Sequence, residues 1–120
     1  MCSFLIWNLW RKKRIFNEAL QAKNIDIKKV ETVIIKDREG ELYHPGCEVH
    51  YEVYAQSGKH VLFEIKNYVY EEDVNDFFSK SLFYEKKKKV KTQKVMVTWH
   101  IDEKTKQLCK KLGIEVITHE

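Results

Sequence analysis

Apolar and polar positions along this 120-residue chain follow two periods, and the stretches in which each holds define its elements. Residues 30–36 are β-branched and strand-like, and 37–40 read as a turn. After Pro45-Gly46, residues 48–55 and 60–67 read as two strands joined across Ser57-Gly58. Residues 95–99 form an apolar, buried-looking strand, and 114–118 the last one. Helical spacing appears first in residues 3–23, where Ile6, Leu9, Trp10, Phe16 and Leu20 fall on one side. A second helix opens at Glu71, Glu72 and Asp73, turns Val74, Phe77, Phe78 and Leu82 inward, and closes at Lys86, Lys87, Lys88 and Lys89. Acids at its start and lysines at its end both suit the helix dipole. Asp102 caps a short helix carrying Leu108 and Leu112, which Gly113 ends. The predicted order is α-β-β-β-α-β-α-β. The last three elements form a βαβ crossover and so imply two parallel strands. This is an α/β domain with a mixed sheet flanked by helices, expected to span 1–120 as one unit.

Strand alternation sorts the polar residues. In one strand Glu48, His50 and Glu52 share a face and Val49, Tyr51 and Val53 the other; in the next, Glu64 and Lys66 oppose Val61, Phe63 and Ile65. Directly opposed residues lie on the same face, so the hairpin register decides whether the acids meet. A two-residue turn sets Gln56 against Lys59 and Glu52 against Phe63. A three-residue loop sets Gln56 against His60 and Glu52 against Glu64. The second register also joins the two apolar faces into one, and for that reason it is the expected one.

Two apposed carboxylates repel unless a cation lies between them. Magnesium takes oxygen ligands, keeps several waters and is often held by one or two carboxylates plus a substrate phosphate. It activates a bound water and polarises the phosphoryl oxygen, while a nearby lysine orients the water or offsets developing charge. Glu52, Glu64 and Lys66 are the candidate residues for such a site.

Glu52, the Ser57-Gly58-Lys59 turn and the run Val61-Leu62-Phe63-Glu64-Ile65-Lys66 resemble the PD-(D/E)XK nuclease superfamily, of restriction-endonuclease-like fold. The likeness is greatest to small archaeal members of the Holliday-junction-resolvase type and their uncharacterised relatives, and it covers most of the chain. It implies that Glu52 and Glu64 are metal ligands, that the Ile65 carbonyl is a third, and that Lys66 is the catalytic lysine. Glu18 is the acid available on the leading helix as a further ligand. The implied activity is magnesium-dependent hydrolysis of DNA phosphodiesters, duplex or branched, with manganese as an alternative metal. The family usually has Asp where this chain has Glu52, one methylene longer. The rival expectation is therefore a nuclease-like fold without catalysis, used as a DNA-binding or assembly subunit.

Composition narrows the field further. With 43% hydrophobic and 33% charged residues the chain is neither a disordered tail nor a fibre. Its net charge of +4 is spread over both halves and permits nucleic-acid binding. Arg11, Lys12, Lys13 and Arg14, together with Lys86, Lys87, Lys88 and Lys89, are the candidate phosphate contacts. Cys2, Cys47 and Cys109 form no CxxC pair, which points to a reducing, cytoplasmic setting. His44, Cys47 and His50 lack a fourth zinc ligand at a usual spacing. No phosphate-binding glycine loop is present, which disfavours nucleotide-cofactor enzymes. Residues 4–10 are apolar but far shorter than the ~20 residues a membrane span needs. Their tryptophans suggest an interface, and a symmetric homodimer is expected.

Overall fold

The structure is a computed structural model that describes residues 21, 29–56 and 58–118. The predicted leading helix, with Glu18, Arg11, Lys12, Lys13 and Arg14, lies outside the described residues, as does the apolar segment 4–10.

Five strands form one sheet in the order β1-β2-β3-β4-β5. They are β1 (Val30–Asp37), β2 (Cys47–Gln56), β3 (Lys59–Val69), β4 (Thr92–Ile101) and β5 (Ile114–Thr118). The first three pair antiparallel, whereas β3, β4 and β5 run parallel. Two crossover helices connect the parallel strands, α1 (Glu71–Lys88) and α2 (Glu103–Lys111). The predicted element order and the βαβ crossover hold across the described residues.

Both helices pack on one face of the sheet. There Val49, Tyr51, Val53, Leu62, Met96 and Ile114 meet Val74, Phe77, Phe83 and Tyr84 of α1 and Cys109 of α2. The opposite face carries a second buried cluster, Val61, Phe63, Val95 and Val97. Residues 95–97 are fully buried on both sides, the continuous apolar pattern of a parallel strand covered on both faces. Burying one such side chain is worth about 1.5–3 kcal/mol. Truncating Phe77 to alanine, which would leave a cavity between α1 and the sheet, costs about 3–5 kcal/mol.

Two sequence expectations change. Leu82 is 46% exposed, and Ser81, Phe83 and Tyr84 face the core instead. Near its end α1 presses Tyr84 against Tyr51, and the Ser81 hydroxyl bonds back to the Phe77 carbonyl, which lets a polar residue take an inward position. The hairpin register is the two-residue one: Gln56 pairs with Lys59, and Glu52 with Phe63. Gly58 takes φ 79°, a conformation that suits glycine in a two-residue connection between strands. The three-residue expectation assumed one apolar face. The sheet has two, so Val53 lies opposite Leu62 in one cluster while Val61 and Phe63 serve the other.

Helix ends behave as their residues dictate. Asp102 accepts from the Thr105 backbone N–H at 2.7 Å, and Gly113 follows α2 with φ 74°. Lys89 closes α1 in the left-handed region at φ 56°, the position where glycine is usual.

Candidate functional site

Strands β2 and β3 pair over residues 52–56 and 59–63, and Glu52–Phe63 is their last rung. Beyond it β2 continues along β1 and β3 along β4, so the two strands part in a fork. Glu52 stands in the last rung on one arm. Glu64 and Lys66 are the next polar residues on the other.

Because Glu52 opposes Phe63, it is directed to the face of the second cluster. There it accepts a hydrogen bond from the Thr32 hydroxyl at 2.9 Å. Glu64 and Lys66 share the face of Leu62, under α1. The expected apposition of Glu52 and Glu64 on one face is therefore corrected by the register. The two acids are neighbours across the fork and point to opposite sides of the sheet. They still sense each other. Burial raises the Glu52 carboxyl above its ordinary value of 4.5, the Thr32 hydrogen bond opposes this, the charge of Glu64 raises it further and Lys80 lowers it. Glu52 is 9% exposed.

On the α1 side the site is built from a helix face that sequence reasoning left out. Asp73, Asp76 and Lys80 recur at i, i+3 and i+7 and so line one side of α1 above β3. Lys80 lies 3.7 Å from a Glu64 carboxylate oxygen, with its ammonium 5.2 Å from the Tyr51 ring centre. The Tyr51 hydroxyl donates to the Lys80 carbonyl at 2.9 Å, fixing that turn of the helix. Lys66 donates to Asp73 at 2.9 Å. Burial lowers the proton affinity of Lys66, but Asp73, then Glu64 and Asp76, outweigh it and hold the lysine above its ordinary value. Lys66 is accordingly a fixed cation at neutral pH and cannot serve as a base.

The loop between β1 and β2 brings in one further residue. Asp37 is buried and accepts from the backbone N–H groups of Glu41, Leu42 and Tyr43. Burial pushes its carboxyl up, yet the backbone hydrogen bonds keep it below its ordinary value. The folded loop places the Tyr43 hydroxyl 2.8 Å from Asp76. Burial, then Asp76 and Glu64, push that phenol well up, so it stays protonated. Spacing on α1 was the available signal for Asp73, Asp76 and Lys80. Tyr43 and Tyr51 left none, because their roles depend on the loop and on packing.

The donor chemistry suits a hydrated hard cation at Glu64, a carboxylate paired with Lys80 at 3.7 Å and within the field of Lys66. Two carboxylates pointing to opposite faces do not form a clamp. Among the described residues no group of three or more His, Cys, Asp or Glu is arranged to hold a metal ion.

The basic run is partly engaged. Lys86 and Lys87 both reach Glu41, at 2.6 and 3.2 Å, while Lys88 and Lys89 are exposed at the end of α1. Lys86 lies six residues beyond Lys80, about 9 Å of helix rise.

No curated protein matches the chain. Among solved structures the fold is similar to a repair endonuclease from Pyrococcus abyssi, with a TM-score of 0.56 and 14% identity over 98% of this chain and 46% of that one. The chain thus spans less than half the length of that endonuclease. A family model described as the PD-(D/E)XK nuclease superfamily matches residues 47–115, which takes in the forked strands, both crossover helices and the start of β5. The match covers more than half of the chain and includes the Glu64-Ile65-Lys66 strand at the fork, and the chain belongs to the PD-(D/E)XK nuclease superfamily.

Proposed function

We propose that the chain is a single nuclease-like domain that hydrolyses DNA phosphodiester bonds with a divalent metal, magnesium or manganese. The observation that supports this most is Lys66, kept charged and oriented by Asp73 two residues past Glu64 on the forked strand. Glu64 and the Ile65 carbonyl would hold the ion, with Glu52 adding negative charge from across the fork. A divalent ion there supplies Lewis acidity and lowers the pKa of a coordinated water. Lys66 draws a phosphate oxygen towards Glu64 and offsets the charge that develops on it. Lys80 neutralises Glu64, and a cation held there would take over that role. Tyr43, protonated and bonded to Asp76, donates no proton to water and keeps that side of the site ordered.

The basic residues on α1 and in residues 11–14 are proposed phosphate contacts, which position a nucleic acid without reading its sequence. We further propose a homodimer acting in the cytoplasm. Cys47 and Cys109 are free thiols, in keeping with a reducing compartment, and no helix among the described residues is long and apolar enough to cross a membrane. Sedimentation at micromolar concentration tests the dimer.

A second reading has its own support. Glu52 turned towards Thr32, with no three-ligand cluster among the described residues, favours a nuclease-like subunit that binds DNA without cutting it. Cleavage of labelled duplex, branched and single-stranded DNAs with manganese, comparing wild type with Lys66→Ala, separates the two. The nuclease reading expects a rate loss of about 100-fold or more for the variant. Absence of wild-type cleavage with intact DNA binding supports the subunit.

A further inference from the structure

Past Lys66, β3 ends in a tier of exposed rings. Tyr68 is 44% exposed and Tyr70 55%. Their rings are stacked, with centroids 4.6 Å apart and planes 28° from parallel. His100 pairs with Tyr68 across the β3–β4 ladder, with ring centroids 6.1 Å apart. Three aromatic rings thus gather at the end of two adjacent parallel strands.

Exposing two tyrosines side by side forgoes the burial their rings would gain in the core. The α1 side of the sheet has apolar partners to offer, yet Tyr70 sits at the N-cap of α1 without making a side-chain capping bond. The stack adjoins the site through Asp73. Asp73 accepts from Lys66 with one carboxylate oxygen and from the Tyr70 backbone N–H with the other, and Tyr68 follows Lys66 by two residues along β3, about 6.6–7 Å. A similar distance separates successive phosphates of an extended single strand, so a nucleotide whose phosphate meets Lys66 has its base within reach of the Tyr68–Tyr70 stack. Bases in a duplex are stacked on their own neighbours and turn only edges outward, so this platform can accept only a base that has left its stack.

We propose that Tyr68, Tyr70 and His100 form a stacking platform for an unpaired nucleobase of the strand whose phosphate is held at Lys66, and that the substrate is single-stranded or locally unpaired DNA. The proposal rests on the reading of Lys66 as a phosphate contact, and it names the substrate class for that site.

The test is binding of a short fluorescent single-stranded DNA, with calcium in place of magnesium, compared with a blunt duplex of the same sequence. Wild type binds the single strand more tightly than the duplex. Loss of base stacking is expected to weaken single-strand binding by tenfold or more in Tyr68→Ala/Tyr70→Ala, an effect of about 1–3 kcal/mol per base. Duplex binding stays unchanged, and Tyr68→Phe/Tyr70→Phe restores the single strand. An oligonucleotide with abasic sites binds wild type as weakly as the alanine variant binds the normal strand. The side chains are exposed, and matching thermal unfolding of all variants shows that the fold is kept. Equal losses for duplex and single strand, no loss, no single-strand binding by wild type, or a change of oligomeric mass in the alanine variant would each overturn the platform. Cleavage decides the underlying reading separately. Absent cleavage with stacking-dependent binding removes the nuclease and leaves the platform standing, whereas cleavage indifferent to both tyrosines does the reverse.

Discussion

Asp73 holds Lys66 with one carboxylate oxygen at 2.9 Å and the backbone N–H of Tyr70 with the other at 2.8 Å. One side chain thus ties the lysine of β3 to the first turn of α1. The Lys66 side chain is 41% exposed, so the ion pair itself adds little stability and its value is positional. The capping bond is different, since losing such a cap costs about 1 kcal/mol. Asp73→Ala should therefore lower stability by about that amount and slow cleavage at saturating DNA severalfold, with Asp73→Glu recovering part of the rate. Lys66→Ala should leave stability nearly unchanged and remove most of the cleavage. Urea denaturation beside single-turnover kinetics distinguishes the two patterns.

Glu52 gives a prediction with a pH signature. Its carboxyl is raised in the folded state, chiefly by burial, so the folded protein binds its proton more readily than the unfolded chain. Ionising it at neutral pH opposes folding, and that opposition disappears below the ordinary value of 4.5, where the group is protonated in both states. Glu52→Gln keeps the acceptor for Thr32 and removes the charge. It should melt higher than wild type at pH 7, with the gain shrinking as pH falls through the raised folded value and gone below 4.5. Manganese should still raise its melting temperature, though by less than in wild type, while Glu64→Gln should show no rise at all. A full loss of the manganese effect in Glu52→Gln would make Glu52 a direct ligand.

The strands and their order were legible because β-branched runs, glycine turns and the capping Asp102 each act locally. The hairpin register was not, and one assumption explains the error. If the sheet had a single apolar face, Val53 and Phe63 would have to share it. Here Val53 faces α1 while Phe63 joins Val95 and Val97 on the opposite side, and Glu52 moves with Phe63. Glu64 and Lys66 were legible as a motif. Their environment was not, because Asp73 reads only as an acid suited to a helix start, and the helical spacing that groups it with Asp76 and Lys80 does not say what lies beneath. Only the packing of α1 over β3 turns that helical stripe towards the strand's polar face.

Glu85 locks the end of α1 to the start of β4. It accepts from the Thr92 backbone N–H at 2.9 Å and the Thr92 hydroxyl at 2.7 Å, and it pairs with Lys94 at 3.3 Å. Burial pushes its carboxyl up, but Thr92 and Lys94 more than reverse this and leave it below 4.5. The stability it supplies is therefore fully present above 4.5 and lost as pH falls through the lowered folded value. Glu85→Gln should cost about 1.5–3 kcal/mol at pH 7, the scale of hydrogen bonds to a charged group. The cost should shrink once acid has protonated the wild-type carboxylate in both states. Denaturant titrations at neutral and acid pH read the difference directly.

Glu41 tests whether the lysines at the end of α1 meet nucleic acid. Its carboxylate holds Lys86 at 2.6 Å and Lys87 at 3.2 Å, and those two lysines are what keeps it below its ordinary value. A phosphate that uses either lysine must compete with Glu41. Glu41→Gln releases both, and if they contact DNA the variant should bind more tightly than wild type at low salt. Its affinity should also fall more steeply with salt, by up to about 0.9 in logarithmic slope for each further phosphate neutralised. Alanine at Lys86, Lys87, Lys88 and Lys89 should act in the opposite sense, weakening unrelated sequences equally and flattening the slope. The alternative is that these lysines serve only the helix terminus, where positive charge is favourable in any case. Under that alternative both variants change stability slightly and leave the isotherms superimposed. Binding isotherms across a salt series, with calcium in place of magnesium, decide between them. The tighter binding of Glu41→Gln is the more telling result, because a variant damaged in folding does not gain affinity.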